Sequence, residues 1–109
     1  MSDINDHFEV LRKIQKRPET TQRELAEELG FSLGKLNYCM KALQDKGLIT
    51  IQNFRRNPKK INYLYTLTTK GNEHKFNLTL KFMKKKMQEY YELKKEINNK
   101  NEKRILNDR

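Results

Sequence analysis

The residues with the clearest chemical potential lie on a short segment between Gly30 and Gly47. Its hydrophobic residues recur at helical spacing, so its polar residues fall together on the opposite face of a helix. Lysine can donate to guanine O6 and N7, asparagine can pair with adenine N6 and N7, and tyrosine can contact a phosphate, sugar or base. Such a face can read base pairs in the major groove of DNA. The residues assigned to it are Leu33, Gly34, Lys35, Asn37, Tyr38 and Lys41.

A second group of basic residues follows at a predicted hairpin tip, where an Asn-Pro step supplies the turn. Four cations on this short loop are suited to contact the phosphate backbone or an adjacent minor groove. The alternative is a hairpin tip whose cations only keep it soluble. We favour the DNA-contacting interpretation, because the loop would flank the helix that enters the groove. The residues of this tip are Arg55, Arg56, Asn57, Lys59 and Lys60.

Two helices joined by a glycine turn would position the reading face. The first begins at Thr21, whose hydroxyl can accept from the amide of Glu24 in a capping box, and it ends at Gly30. Ser32 can cap the second helix, and Gly47 ends it. The residues at the helix starts that complete the predicted DNA-binding set are Thr21, Gln22 and Ser32. The inward stripe of the second helix is Leu36, Cys39, Met40 and Leu43.

The flanking segments complete a winged helix-turn-helix, a mainly α (α+β) fold. Taken alone, the two helices would also fit an ordinary helical hairpin with a solvated face, and the segment that follows favours DNA binding. There the hydrophobic period changes from helical to alternating, which predicts a two-stranded wing. Its alternating residues are Ile49 and Ile51 on one strand, and Ile61, Tyr63, Tyr65 and Leu67 on the other. An N-terminal helix is expected to close the core with Ile4, Phe8, Leu11 and Ile14.

The C-terminal third predicts a long helix with a coiled-coil seam. Its hydrophobic residues recur at alternating spacings of three and four, interrupted at Lys94. A lone helix would expose this seam, so we expect a homodimer, whose strand direction the flanking charges do not specify. The seam residues are Phe76, Leu80, Met83, Met87, Tyr90 and Ile97. The predicted boundaries are 1–69 for the DNA-binding domain, 70–98 for the dimerisation helix, and 99–109 for a disordered tail.

Composition agrees with a nucleic-acid partner. The 109 residues carry a formal net charge of +10, and residues 31–69 hold seven Lys or Arg against Asp45 alone. A polyanion such as double-stranded DNA is the natural partner of this charge. The sequence shows neither a secretory signal nor a membrane-spanning run, so we expect a cytoplasmic protein. No catalytic arrangement, cofactor motif or metal-ligand spacing is present, and Cys39 is interpreted as a packing residue rather than a redox sensor.

Four stretches of the chain resemble the winged helix-turn-helix of MarR-type transcriptional regulators. They are residues 21–26 (TQRELA), 30–32 (GFS), 46–49 (KGLI) and 67–71 (LTTKG). The run GFSLGKLNYCMKAL, together with the short length and the long C-terminal helix, is most similar to the small group of EPS-associated regulators. The resemblance covers roughly residues 5–98. It implies sequence-specific control of transcription and, for that group, of exopolysaccharide genes.

The chain departs from the larger MarR proteins in two ways. Their wing usually carries an Asp-x-Arg element, whereas the matching tip here contains no acid, so no particular arginine is assigned to a minor groove. Their extra terminal helices often build a pocket for small phenolic effectors, and this chain has little material for one. Two other functions stay open: a winged-helix adaptor that binds a protein partner, and a non-specific architectural DNA-binding protein.

Overall fold

The computed structural model describes residues 4–107, apart from the side chains of Arg56, Lys60 and residues 101–107. The chain divides into two units, one ending at Phe76 and one beginning at Asn77. In chain order the elements are α1 (Ile4–Lys16), β1 (Glu19–Thr20), α2 (Gln22–Leu29), α3 (Leu33–Asp45), β2 (Ile49–Asn57), β3 (Lys60–Leu67) and α4 (Thr69–Asn107). Among the described residues, no helix is both long and apolar enough to cross a membrane.

Helices α2 and α3 begin at the predicted caps. The Thr21 hydroxyl accepts from the backbone N–H of Glu24 at 3.1 Å, and the Ser32 hydroxyl accepts from that of Lys35 at 3.1 Å. Each contact satisfies one of the N–H groups that a helix start leaves without a partner. Both helix starts are therefore determined by local sequence, as predicted.

The glycines at the ends of these helices have the predicted role. Gly30 and Gly47 both have φ +71°, in the left-handed region where a β-carbon is unfavourable. After Gly30 the backbone N–H of Phe31 donates to the carbonyl of Ala26 at 2.8 Å, which closes the last turn of α2. The chain then reverses within three residues and enters α3. This short turn brings α2 and α3 against each other.

The core of the N-terminal unit is built around the inward stripe of α3. All four predicted residues of the stripe are buried, together with Leu25 and Ala26 of α2. Helix α1 covers them with His7, Val10, Leu11 and Ile14. The prediction for α1 was therefore wrong in part: Ile4 is exposed, and Phe8 lies at the edge with the Arg12 guanidinium 5.6 Å from its ring centre. The helix is rotated so that Val10, rather than Phe8, points at the core.

The sheet has three antiparallel strands in the order β1-β3-β2, one more than the predicted two-stranded wing. The predicted hairpin is present, with Ile49 opposite Leu67 and Ile51 opposite Tyr65. The additional strand β1 pairs Thr20 with Tyr63. Its two residues are too few to show an alternating pattern, which is why the sequence did not reveal it. Tyr65 is buried, and this burial raises the pKa of its hydroxyl well above the ordinary range.

Helix α4 starts in a tight contact with the turn that follows α3. The Thr68 hydroxyl donates to the Gly47 carbonyl at 2.6 Å and accepts from the backbone N–H of Gly71 at 3.0 Å. The Thr68 N–H donates to the Leu48 carbonyl at 3.0 Å. A β-carbon at Gly71 would lie 1.9 Å from that same carbonyl oxygen. The stretches 46–49 and 67–71, singled out separately in the sequence, thus meet in space.

The C-terminal unit consists of α4 from Asn77 onward. Its helix extends to Asn107, whereas a disordered tail was expected from residue 99. Residues 99–107 contain neither proline nor glycine and include Lys, Glu, Leu and Arg, which favour helix. Residues 108 and 109 of the expected tail lie outside the described residues. The helix therefore continues past the predicted boundary at residue 98.

Candidate nucleic-acid interface

The polar face of α3 is exposed along most of its length. Asn37 and Lys41 are exposed, and Tyr38 is 57% exposed although it is a large aromatic residue. Leu33 and Gly34 form the N-terminal tip, and a β-carbon at Gly34 would have nothing within 4 Å. Packing within the chain therefore does not require glycine there. An open helix tip of this kind allows another surface to approach the backbone closely.

Lys35 is the exception on this face, because its side chain is already engaged. Its Nζ atom lies 3.3 Å from Oδ2 of Asp6 on α1 and 4.3 Å from the centre of the Phe31 ring. The first contact is an ion pair and the second is a cation–π contact. From sequence alone, Lys35 is expected to be a free donor to base edges. The spacing of four between Phe31 and Lys35 was an available signal, whereas nothing in the sequence linked Lys35 to Asp6.

The remaining predicted residues of the two helices lie at their starts. Thr21 and Ser32 accept backbone N–H groups as caps, and each hydroxyl keeps its own hydrogen for a further acceptor. Gln22 is half-buried in the first turn of α2. Helix N-termini carry a partial positive charge, so these positions are compatible with a phosphate. Thr21 and Gln22 thus lie at the start of α2, and Ser32 lies at the start of α3.

Ionic contacts join α2 to Arg17, the residue that follows α1. The Arg17 guanidinium pairs with Glu24 at 3.2 Å and also with Glu28. Glu24 in addition accepts from the Thr20 hydroxyl at 3.2 Å, next to the cap at Thr21. Two carboxylates of α2 thus share one guanidinium. This network was not predicted, and it supports the helix that packs behind α3.

The wing tip is more tightly built than the sequence suggested. Only Pro58 and Lys59 form the loop, since β2 extends to Asn57 and β3 begins at Lys60. The Asn57 side chain accepts from the Lys59 N–H at 3.0 Å, and Arg55 donates to the Pro58 carbonyl at 2.9 Å. The pairing register shifts between Phe54 and Asn57, as in a β-bulge. The predicted six-residue loop is therefore mostly strand.

Among the basic residues of the tip, Arg55 and Lys59 are exposed in the structure. Arg55 uses part of its guanidinium within the tip, and the remaining N–H groups are available to a phosphate. The side chains of Arg56 and Lys60 lie outside the described residues. Within the described residues, no group of three or more His, Cys, Asp or Glu could hold a metal ion.

The N-terminal unit is similar to known DNA-binding proteins. Residues 7–50 match the family model described as winged helix-turn-helix DNA-binding, a range that runs from α1 to the start of β2. The chain is also similar to the HTH-type transcriptional regulator LrpA of Pyrococcus horikoshii, with 41% identity over 69 residues. That match covers 62% of this chain and 48% of the archaeal protein. The described structure thus has the winged helix-turn-helix fold, and its residues 7–50 match a DNA-binding family of that fold.

Similar solved structures belong to MarR-type regulators. The Staphylococcus aureus MarR solved with salicylate and kanamycin matches with a TM-score of 0.60 and 28% identity, over 75% of this chain and 53% of that one. The PcaV transcriptional regulator of Streptomyces coelicolor matches with a TM-score of 0.66 and 18% identity, over 75% of this chain and 57% of that one. The chain spans roughly half the length of these relatives. It has the winged-helix fold of the MarR structures.

Proposed function

We propose that this winged helix-turn-helix chain is a MarR-type transcriptional regulator that binds double-stranded DNA in a sequence-specific manner as a homodimer. One observation carries the proposal: α3 buries its whole apolar stripe while Asn37, Tyr38 and Lys41 remain exposed on its other face. A helix with this division can enter a groove without disturbing the core behind it. The matches to DNA-binding regulators support the same function.

The chemistry assigned to α3 is direct readout of bases. Asn37 can pair with adenine N6 and N7, and Tyr38 can contact a sugar, a phosphate or a base. Lys35 can donate to guanine, but it must first leave Asp6. Each good base contact contributes about 1–3 kcal/mol of discrimination between base pairs. Asn37 and its neighbours would thus supply specificity.

The wing and the helix starts supply the contacts that do not depend on base sequence. Arg55, Arg56, Lys59 and Lys60 would lie along a phosphate backbone or in the adjacent minor groove. Replacing all four by alanine should weaken binding to every duplex similarly. The salt dependence of the association constant should flatten by up to about one unit per lost phosphate contact. An unchanged salt slope would place the wing away from DNA.

The dimer is proposed from the stripe on α4. Phe76, Met83 and Tyr90 each keep more than half of their surface exposed in the single chain, and Leu80, Met87 and Ile97 are similar. Apolar residues in such a row usually mark a surface that associates with a partner. A second copy of the same helix offers a stripe of matching spacing and length. Sedimentation of the full chain at micromolar concentration tests this, because a monomer would refute the dimer.

Selection of bound duplexes from a random library tests the regulatory function. A sequence-specific symmetric dimer should enrich an inverted repeat, whose half-sites lie about one helical turn apart or a multiple of it. Enrichment of no sequence, with binding to all duplexes, would instead favour the architectural function. Binding to no duplex at all would favour the adaptor, whose protein partner would cover the stripe on α4.

The regulated genes form the most specific part of the proposal. The run GFSLGKLNYCMKAL resembles EPS-associated regulators, so we propose that the operator lies near exopolysaccharide genes. The proposal rests on this resemblance alone. Mapping the selected sequence onto the genome of the source organism tests it directly. Sites that cluster near unrelated genes would refute this assignment while leaving DNA binding intact.

A further inference from the structure

The contact between Asp6 and Lys35 joins α1 to the first turn of α3. Lys35 Nζ lies 3.3 Å from Asp6 Oδ2, and the side chains are 38% and 19% exposed, respectively. The Phe31 ring lies against the same ammonium group, with 4.3 Å between Nζ and the ring centre. Asp6 of α1 and Phe31 of the turn thus hold the Lys35 cation, whose residue follows the exposed Gly34 directly in the chain.

This arrangement has an electrostatic consequence. An ion pair has nearly no net charge at a distance, so a paired Lys35 adds little to the general attraction between the protein and a phosphate backbone. Partial burial of Asp6 reduces screening by salt and favours the pair over an extended lysine. A duplex that binds Lys35 must therefore replace the Asp6 carboxylate as its acceptor.

We propose that Asp6 is a specificity-determining residue, which acts as an internal competitor of DNA for the Lys35 ammonium group. A loosely docked duplex offers one mobile phosphate, which must displace both the carboxylate and the aromatic ring. A fully inserted α3 presents Lys35 with the O6 and N7 atoms of one guanine, within the negative potential of the groove. Asp6 therefore lowers affinity for unselected DNA more than affinity for the correct site.

The test compares Asp6→Asn with Glu9→Gln, a matched control on the same helix. Glu9 pairs with Arg12 at 3.2 Å on the exposed side of α1, so both variants remove one negative charge and free one cation. Asp6→Asn should raise affinity for a scrambled duplex by about threefold to tenfold relative to Glu9→Gln. Affinity for the selected duplex should rise less. The ratio of the affinity for the selected duplex to that for the scrambled duplex should therefore fall.

A double-mutant cycle assigns this effect to Lys35. In a Lys35→Met background, Asp6→Asn and Glu9→Gln should change the affinity for both duplexes equally, because no ammonium group remains to be released. Asp6→Glu should restore most of the wild-type ratio, since it keeps the charge. Phe31→Leu removes the ring that lies against Lys35 without a change in charge. It should also lower the ratio of affinities for the selected and the scrambled duplex. Thermal unfolding of each variant shows that α1 still folds.

The inference rests on the proposed function, and the outcomes distinguish the two. A wild-type chain that prefers no sequence refutes the proposed function. A wild-type preference that Asp6→Asn alters no more than Glu9→Gln does refutes the inference alone, because Lys35 then stays paired in the complex. A lower ratio that persists in the Lys35→Met background also refutes it, since Asp6 would then act through another group.

Discussion

Helix α3 and the part of α4 from Asn77 onward both carry an apolar stripe, but their surroundings differ. The stripe of α3 is covered by α1 and α2, and every one of its four residues is buried. The stripe of α4 is exposed along the described part of the helix, from Leu80 to Ile97. In α3 the exposed side combines the polar Asn37 and Lys41 with Leu33 and Tyr38, whereas in α4 the exposed residues include Met83, Met87 and Tyr90.

The difference indicates what kind of partner each helix can bind, because a partner meets only the exposed side. Because the apolar stripe of α3 is covered, a partner meets the side that carries Asn37, Lys41 and the Tyr38 hydroxyl, which suits a polar or charged ligand. A helix whose apolar side is exposed must lose that exposure through association, which favours a hydrophobic partner. The two helices are therefore expected to respond differently to the same substitution.

The largest expected effect is the loss of stability when a leucine of the α3 stripe is replaced by alanine, compared with the same substitution on the α4 stripe. Leu36→Ala removes a fully buried side chain and should lower the free energy of unfolding by about 2–5 kcal/mol. Leu80→Ala removes a side chain that is 50% exposed, and should leave unfolding of the N-terminal unit unchanged while weakening association. Chemical denaturation, followed at two protein concentrations, measures both. Equal losses of stability that do not depend on concentration would remove the distinction between the stripes.

A somewhat smaller effect is expected where α4 begins, at Gly71. Gly71→Ala places a β-carbon 1.9 Å from the Leu48 carbonyl oxygen, which also accepts the Thr68 N–H. Relief of this overlap requires backbone movement, so we expect a loss of about 3 kcal/mol in the free energy of unfolding. Gly34→Ala is the control, because its β-carbon would meet nothing within 4 Å. Similar unfolding curves for both variants would show that the contact at Leu48 is easily relaxed.

The sequence predicted the features that depend on near neighbours along the chain. The caps at Thr21 and Ser32, the buried stripe of α3 and the presence of the hairpin all follow from local spacing. It missed the features that depend on distant segments. Strand β1 exists only because β3 pairs with it, and Asp6 lies 29 positions before Lys35. The prediction of which side of α1 is buried was wrong in part for the same reason, because that side depends on the packing of α1 against α3.

Met83→Glu combined with Met87→Glu should weaken the dimer. We expect its dissociation constant to rise about 100-fold, which corresponds to close to 2.7 kcal/mol. Both methionines are more than half exposed in the single chain, and four carboxylates would meet in a symmetric dimer. Lys81→Gln combined with Lys85→Gln is the control, because both lysines lie outside the seam and the net charge of the chain changes by the same amount. Sedimentation velocity measures the dissociation. Equal weakening in the two variants would attribute the effect to charge alone.

The most localised effect concerns Asn37, on the polar face of α3. Asn37→Ala should relax the preference for one base pair in each half-site by about 1–3 kcal/mol, because a good side-chain contact to adenine is lost. Affinity for unrelated duplexes should stay nearly the same, since Asn37 carries no charge and the cap at Ser32 remains. Asn53→Ala is the matched control, as Asn53 is equally exposed but lies on β2. Selection from a random library with each variant reports the preference position by position. An Asn37→Ala variant that loses affinity equally for every sequence would show that α3 supports binding without reading bases, and that the contrast between the two helices does not extend to sequence readout.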